Sequence, residues 1–87
     1  MTAKTPVRVR YKSSVEGDLR RLHATEAKRV ISKFEDALAA NPRLGIPLHR
    51  EFRGLFKYRV GDYRIVFART AESVLVLRVG NRKDVYR

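Results

Sequence analysis

Three cationic side chains, Lys57, Arg59 and Arg64, lie where the sequence predicts a β-hairpin. Residues 56–67 form two alternating runs around Gly61-Asp62, a pair suited to a two-residue turn with glycine in its first position. A turn this tight fixes the register and places Arg59 opposite Arg64. Cations directly across a ladder repel each other by up to roughly 1 kcal/mol. The arrangement therefore predicts a phosphate site, and a merely solvated basic face is the alternative.

The predicted register also separates the two faces of the hairpin. It pairs Val60 with Tyr63, Arg59 with Arg64, Tyr58 with Ile65, Lys57 with Val66 and Phe56 with Phe67. Because side chains alternate between faces, one face is apolar enough to be core and the other carries all three cations. The core face consists of Phe56, Tyr58, Val60, Tyr63, Ile65 and Phe67. The turn residue Asp62 is the only carboxylate in the hairpin.

The composition predicts one basic domain that spans residues 1–87. A chain of 87 residues can build one core but not two. Its net charge of +11 predicts a polyanion or a strongly acidic protein as partner. Residues 1–49 and 50–87 each carry ten Lys or Arg, so the charge belongs to the whole fold and not to a tail.

Several other classes of protein are disfavoured. No segment approaches the roughly 18 apolar residues of a membrane-spanning helix, and residues 1–10 lack the apolar core of a signal peptide, so we expect a cytoplasmic protein that does not contact membranes. The absence of cysteine excludes disulfides, thiolate metal sites and cysteine nucleophiles. His23 and His49 are too far apart in the sequence to suggest a metal site, and we expect neither a metal nor a cofactor.

The remaining residues predict an α+β fold in the order β-α-α-β-β-β. Alternation indicates a first strand over Val7–Tyr11, and a capping box from Ser13 to Glu16 begins a helix over about Ser14–Leu22. An apolar stripe predicts a second helix from near Thr25 to Asn41-Pro42.

After the short loop Asn41–Pro47 and the hairpin, the nearly all-apolar run Ser73–Gly80 is typical of a central strand covered on both faces. The tail, residues 81–87, is predicted to be a short extended end or loop. We therefore expect a small curved, antiparallel-rich β-sheet of about four strands, with the two N-terminal helices packed on one face. The other face is left for a ligand.

Two segments resemble the RelE family within the RelE/ParE toxin superfamily. The first, residues 52–67, contains Gly-x-x-x-x-Arg-x-Gly-x-Tyr-Arg, which is shared broadly across the superfamily. The second, residues 74–86, ends in Gly-x-Arg-Lys-x-Val-Tyr, which is more particular to RNA-cleaving members. The resemblance implies a sheet with two N-terminal helices, an antitoxin partner, and a metal-independent endoribonuclease that cuts messenger RNA in the ribosomal decoding site.

The resemblance also implies a set of catalytic residues: Lys57, Arg59, Arg64, Arg82 and Tyr86. The hairpin geometry selects the first three independently. The best-known members have a second lysine where this chain has Arg59, and arginine holds its proton far more tightly. Arg59 is therefore expected to give electrostatic support and not to transfer protons.

RNA cleavage without a metal needs a base for the 2′-hydroxyl proton, positive charge at the phosphorane-like transition state, and an acid for the leaving 5′-oxygen. Tyr86 is the candidate base, since surrounding cations would lower its pKa from a usual value of about 10. Arg82 is the candidate acid or stabiliser. Lys57 is the only one of the three hairpin cations that could exchange a proton, so the choice of base between Lys57 and Tyr86 stays open.

Further cations are candidates for RNA binding: Arg53, Lys83, Arg8 and Arg10. They could dock on ribosomal RNA, although an ordinary soluble surface explains each of them about equally well. For Tyr86, the alternative is a terminal aromatic residue that closes the edge of the core.

The expected partners are the ribosome, messenger RNA and a cognate acidic antitoxin whose disordered segment wraps the basic sheet face. We expect the free toxin to be monomeric and to form higher-order assemblies with the antitoxin. Two alternative functions remain: a ParE-like, non-enzymatic inhibitor of DNA gyrase, and an inactive member that only binds RNA or antitoxin.

Overall fold

A five-stranded sheet with two helices on one face forms the protein. The computed structural model describes residues 8–70 and 73–81. Its elements are β1 (Arg8–Tyr11), α1 (Ser13–Arg20), α2 (Ala24–Ala40), β2 (Ile46–Pro47), a 3-10 helix (Arg50–Phe52), β3 (Leu55–Val60), β4 (Tyr63–Arg69) and β5 (Ser73–Asn81). The strand order is β1-β5-β4-β3-β2, with β1 parallel to β5 and the other pairs antiparallel. The predicted α+β class is confirmed, and the two-residue edge strand β2 is an addition to the predicted order.

The hairpin β3–β4 has the register that its turn predicts. Every predicted pair, from Val60–Tyr63 to Phe56–Phe67, is present. Gly61 has a φ of +58°, whereas Asp62 keeps a negative φ, as expected when glycine occupies the first position of a type II′ turn. Arg59 therefore lies opposite Arg64.

The core lies between the helices and the inner face of the sheet. From α2, Val30, Phe34 and Leu38 are buried, as the stripe predicts, and they pack against buried residues of β3, β4 and β5. The Phe34 and Phe67 rings are 5.2 Å apart between centroids. α1 adds Val15 to this core.

The prediction of a central, doubly covered last strand is wrong in both respects. The middle strand of the sheet is β4, and β5 lies between β4 and β1. Val74, Val76 and Val79 of β5 are buried, but Leu75 is 38% exposed on the outer face. A shift of register between Val66 and Phe67 adds one residue to β5 and bends the strand. The apolar run of β5 thus reflects a strand whose inner face is covered by the helices and whose outer face stays partly open.

The predicted capping box of α1 does not form. The helix begins one residue earlier than expected, at Ser13, so Lys12 is the N-cap, and no side chain caps the helix. Lys12 is held in an extended conformation because its backbone N–H donates to the carbonyl oxygen of Val76, at 2.9 Å. The Ser14 hydroxyl donates to the Leu77 carbonyl, at 3.0 Å.

A carboxylate of α1 completes the edge of β5. β1 pairs with residues 73–76 of β5, so among the described residues no strand pairs with Val79 on this side. The Val79 N–H donates to Asp18 Oδ2 at 2.9 Å, and Arg78 Nε donates to the same oxygen at 3.0 Å. Asp18 is only 7% exposed. A paired, hydrogen-bonded carboxylate here replaces the missing strand.

The loop that leads from α2 to β2 is held against the sheet by Arg69. Arg69 Nη1 donates to the Leu44 carbonyl, at 2.6 Å, and its guanidinium lies 4.0 Å from the centroid of the Phe56 ring. Gly45 has a φ of +115°, and a Cβ placed there would lie 2.6 Å from Phe67 Cζ. Glycine is required at this position for both reasons.

Within the described ranges, no helix is both long enough and apolar enough to cross a membrane.

Candidate phosphate-binding site

A cavity of about 440 Å³ opens beside β2, β3 and β4. Its lining residues are Leu44, Gly45, Ile46, Lys57, Tyr58, Arg59 and Arg64. The three predicted hairpin cations thus line one cavity, on the face of the sheet opposite the helices. The volume falls within the range of about 300–1,000 Å³ that is usual for small-molecule sites.

The register of β3 and β4 brings the cations together. Lys57 and Arg59 are two residues apart on β3 and project to the same face, and Arg64 lies directly across the ladder from Arg59. Lys57 and Arg64 are half-buried, whereas Arg59 is exposed. Partial burial strengthens the field that these charges exert on an anion, because fewer water molecules screen it.

A turn carbonyl orients one member of the like-charged pair. Arg59 Nε donates to the Gly61 carbonyl oxygen, at 3.0 Å. The ion pairs between described residues are Arg20–Glu16, Arg29–Glu26 and Arg78–Asp18, and neither Lys57 nor Arg59 takes part in them. A carbonyl dipole neutralises no charge, so Lys57 and Arg59 are suited to bind an anion.

Gly80 leaves room beside Arg64. It is the partner of Arg64 across the β4–β5 ladder, and a Cβ placed on it would meet no atom within 4 Å. No described residue therefore fills the space directly above Gly80, next to Arg64 on the outer face.

Among the described residues, those that line the cavity include no carboxylate and no histidine. Among residues 8–70 and 73–81, no group of three or more His, Cys, Asp or Glu side chains could hold a metal ion. Cationic side chains that line a cavity are suited to bind a phosphate and to stabilise negative charge that develops on it.

The other predicted residues that the structure describes do not line this cavity. Arg53 is exposed at the end of the 3-10 helix and does not line the cavity. Arg8 and Arg10 are exposed on β1, and β1 is separated from β3 by three strand spacings, or roughly 14 Å. The predictions for Arg82, Lys83 and Tyr86 fall outside the described residues.

Sequence reasoning missed the apolar side of the cavity. Leu44, Gly45 and Ile46 fall within the segment that was predicted to be only a loop, yet Ile46 pairs with Lys57 across the β2–β3 ladder. The usable signal was Gly45-Ile46-Pro47, since a residue before proline favours an extended backbone and proline in a strand is confined to edges.

The fold and the site together define a class of protein: a small, basic α+β domain whose open sheet face carries a cation-lined cavity. A family model described as the ParE toxin of the type II toxin–antitoxin system, parDE, matches residues 9–86, and the chain belongs to this family. It is therefore a type II toxin of the RelE/ParE superfamily.

Individual relatives confirm the RelE resemblance. The chain is 35% identical to toxin RelG of Mycobacterium tuberculosis, over 94% of this chain and 98% of RelG. It is 32% identical to toxin RelE of the same organism, over 100% of this chain and 93% of that toxin. Among solved structures, the M. tuberculosis toxin–antitoxin complex RelBE2 contains a chain that matches with a TM-score of 0.79 at 32% identity, covering 88% of this chain and 99% of that chain.

Proposed function

We propose that this toxin is a metal-independent endoribonuclease that cleaves messenger RNA in the ribosomal A site and thereby inhibits translation. The observation that carries the proposal is the cavity in which Lys57, Arg59 and Arg64 converge. Among the described residues, the lining brings three cations together and includes no carboxylate, which suits the negatively charged oxygens of a phosphodiester.

In the proposed reaction, the 2′-oxygen attacks the adjacent phosphorus as its proton leaves. Tyr86 takes that proton, with Lys57 as the alternative base. The bond from phosphorus to the 5′-oxygen breaks, and Arg82 protonates or stabilises the leaving oxygen. The products are a 2′,3′-cyclic phosphate and a 5′-hydroxyl. Arg59 and Arg64 stabilise the negative charge on the phosphorane-like transition state.

The ribosome supplies what these residues lack. Tyrosine and arginine are weak proton-transfer groups near neutral pH, so the proposed site is poorly active on free RNA. Orientation of the 2′-hydroxyl in line with the leaving group can contribute several kcal/mol, roughly up to 7–11 in well-oriented model reactions. The proposal therefore places this toxin in the cytoplasm, where it works on ribosome-bound messenger RNA.

A cognate acidic antitoxin is the proposed protein partner. The net charge of +11 favours a partner of opposite charge, and the similar RelBE2 structure is that of a toxin–antitoxin complex. We propose that the free toxin is monomeric and that the antitoxin builds the higher-order assembly.

Inhibition of DNA gyrase without catalysis is the second candidate. It is supported by the ParE description of the matching family model. The ending Gly80-x-Arg82-Lys83-x-Val85-Tyr86, which resembles that of RNA-cleaving members, favours the ribonuclease.

One experiment separates these candidates. Purified toxin, stripped of metal with EDTA and desalted, is added to ribosomes programmed with a defined messenger RNA and, in parallel, to a gyrase supercoiling assay. We expect cuts within the A-site codon, loss of cutting in Tyr86→Phe and Arg82→Ala variants that remain folded, and unchanged supercoiling. Gyrase inhibition without cuts would replace the ribonuclease proposal by the second candidate.

A further inference from the structure

The cavity has two walls of opposite chemistry. Lys57, Arg59 and Arg64 form one, and Leu44, Gly45 and Ile46 form the other, which we call the apolar wall; Tyr58 also lines the cavity, between Lys57 and Arg59 in the sequence. Ile46 pairs with Lys57 across the β2–β3 ladder, so an apolar and a cationic side chain lie next to each other on the same face.

The exposed member of the apolar wall, Ile46, is not explained by the needs of the core. Ile46 is 61% exposed, more than the other exposed large hydrophobic residues of the described chain, which are Tyr11 and Leu75. A side chain so exposed contributes little to folding through burial. Ile46 is also one of the residues that line the cavity.

The apolar wall is held in place by the rest of the fold. Arg69 donates to the Leu44 carbonyl while it stacks on Phe56, and Leu44 also packs against the hydrophobic core. Gly45 lies against Phe67. A wall fixed in this way can meet a ligand without an ordering cost.

We propose that the apolar wall binds the nucleobase of the nucleotide whose phosphate the three cations bind. A nucleotide carries an anion and an apolar ring face a short distance apart, which matches the two walls. This inference rests on the proposed function in that the ligand is RNA, and it adds that the toxin itself contacts a base at the cleavage site.

Binding of two matched probes to the full-length toxin tests the proposal. Adenosine 5′-monophosphate and ribose 5-phosphate differ only in the base. The wild-type protein is expected to prefer the nucleotide by about five- to tenfold, as when roughly 40–60 Å² of apolar surface leaves water. In Ile46→Asn the ratio falls to near one. Leu75→Asn, an exposed apolar position elsewhere on the outer face, keeps the ratio.

Lys57→Met should weaken the binding of both probes by the same factor and leave the ratio of their affinities unchanged. Thermal unfolding of each variant establishes that it is folded. A ratio near one in the wild-type protein, no measurable binding of either probe, or a ratio that survives in Ile46→Asn overturns the proposal. Loss of antitoxin affinity in Ile46→Asn with an unchanged ratio would also overturn it and assign the wall to the protein partner.

The ribonuclease proposal and the base-binding proposal can each fail without the other. If the wild-type toxin cuts ribosome-bound messenger RNA but shows no preference for the nucleotide probe, the proposed base-binding role of the apolar wall is wrong and the ribonuclease proposal stands. If the preference for the nucleotide is present and depends on Ile46 while no messenger RNA is cut, the base-binding proposal stands and the ribonuclease proposal is wrong.

Discussion

Two cations of the proposed site lie directly opposite each other in the sheet. Arg59 and Arg64 face each other across a ladder, and Arg59 Nε donates to the carbonyl oxygen of Gly61 in the turn. Like charges in this position disfavour the folded state. Residues that are unfavourable for stability and converge on a cavity are expected to serve binding or catalysis.

Lys57→Met is expected to separate activity from stability. Methionine keeps an unbranched side chain of similar length but removes a charge from the proposed phosphate site. Cleavage on the ribosome should fall about 10²- to 10³-fold, as for other losses of an electrostatic stabiliser, while the free energy of unfolding changes by less than about 0.5 kcal/mol. Lys33→Met, on the exposed side of α2, is the control. Unchanged cleavage by folded Lys57→Met would remove Lys57 from the site.

A tyrosine away from the cavity couples stability to pH. Tyr11 donates a hydrogen bond to Glu35 of α2. Partial burial is the larger cause that raises the pKa of Tyr11 above its usual value, and the hydrogen bond to Glu35 raises it further. The unfolded chain therefore loses the phenolic proton first, near pH 10. The contribution of this pair is complete below that pH and is lost as the pH rises further.

We expect the wild-type protein to lose unfolding free energy more steeply than Tyr11→Phe as the pH rises above about 10. Urea unfolding measured at several pH values, for both proteins, provides the comparison. Parallel stability curves for the two proteins would show that Tyr11 titrates alike in the folded and unfolded states.

At the scale of elements, α1 acts as a substitute strand for the second half of β5. Asp18 accepts from the Val79 N–H and pairs with Arg78, at the edge that β1 leaves uncovered. β5 also supplies Gly80, the partner of Arg64 across the ladder. The helix therefore fixes one border of the site although it contributes no lining residue.

Asp18→Ala should lower the free energy of unfolding by about 3 kcal/mol, since it leaves a buried N–H without its acceptor and Arg78 without this carboxylate. Asp18→Asn keeps an oxygen for the N–H and should lose less. Asp36→Ala, at an exposed position of α2, should change stability by under about 0.5 kcal/mol. Equal urea midpoints for Asp18→Ala and Asp36→Ala would mean that the edge does not depend on this contact.

Two glycines test how firmly the apolar wall is held. Gly45→Ala should destabilise the protein by about 2 kcal/mol or more, because the φ is left-handed and the new Cβ meets Phe67 and Phe56. Gly17→Ala, in α1 with no atom near its Cβ, should instead stabilise by up to about 1 kcal/mol. Thermal unfolding of both variants gives the comparison. A Gly45→Ala protein as stable as the wild type would show that the loop shifts freely.

Local rules predicted the hairpin but not the edges of the sheet. A two-residue turn and a period of two determined the register of β3–β4, and with it the shared face of Lys57, Arg59 and Arg64. β2 is too short for any periodicity to reveal. The N-cap at Lys12 and the role of Asp18 depend on contacts with β5, some 60 residues away along the chain. Such nonlocal contacts leave no spacing pattern in the sequence.

At the scale of the whole molecule, the charge serves association more than folding. The net charge of +11 is spread evenly along the chain, and exposed cations lie on β1 and the helices as well as at the cavity. Such a field raises the rate of encounter with a polyanion and weakens as salt is added. It suits both the proposed substrate assembly and an acidic antitoxin, so charge alone does not distinguish them.

In the proposed mechanism, the 2′-hydroxyl of ribosome-bound messenger RNA attacks the neighbouring phosphate within the toxin's site. The most direct test is a set of messenger RNAs in which a single 2′-deoxynucleotide replaces each A-site position in turn. We expect the deoxy substitution on the 5′ side of the cut to abolish cleavage there, while the neighbouring substitutions leave it intact. Cleavage of that deoxy messenger RNA at the unmodified rate would contradict the account.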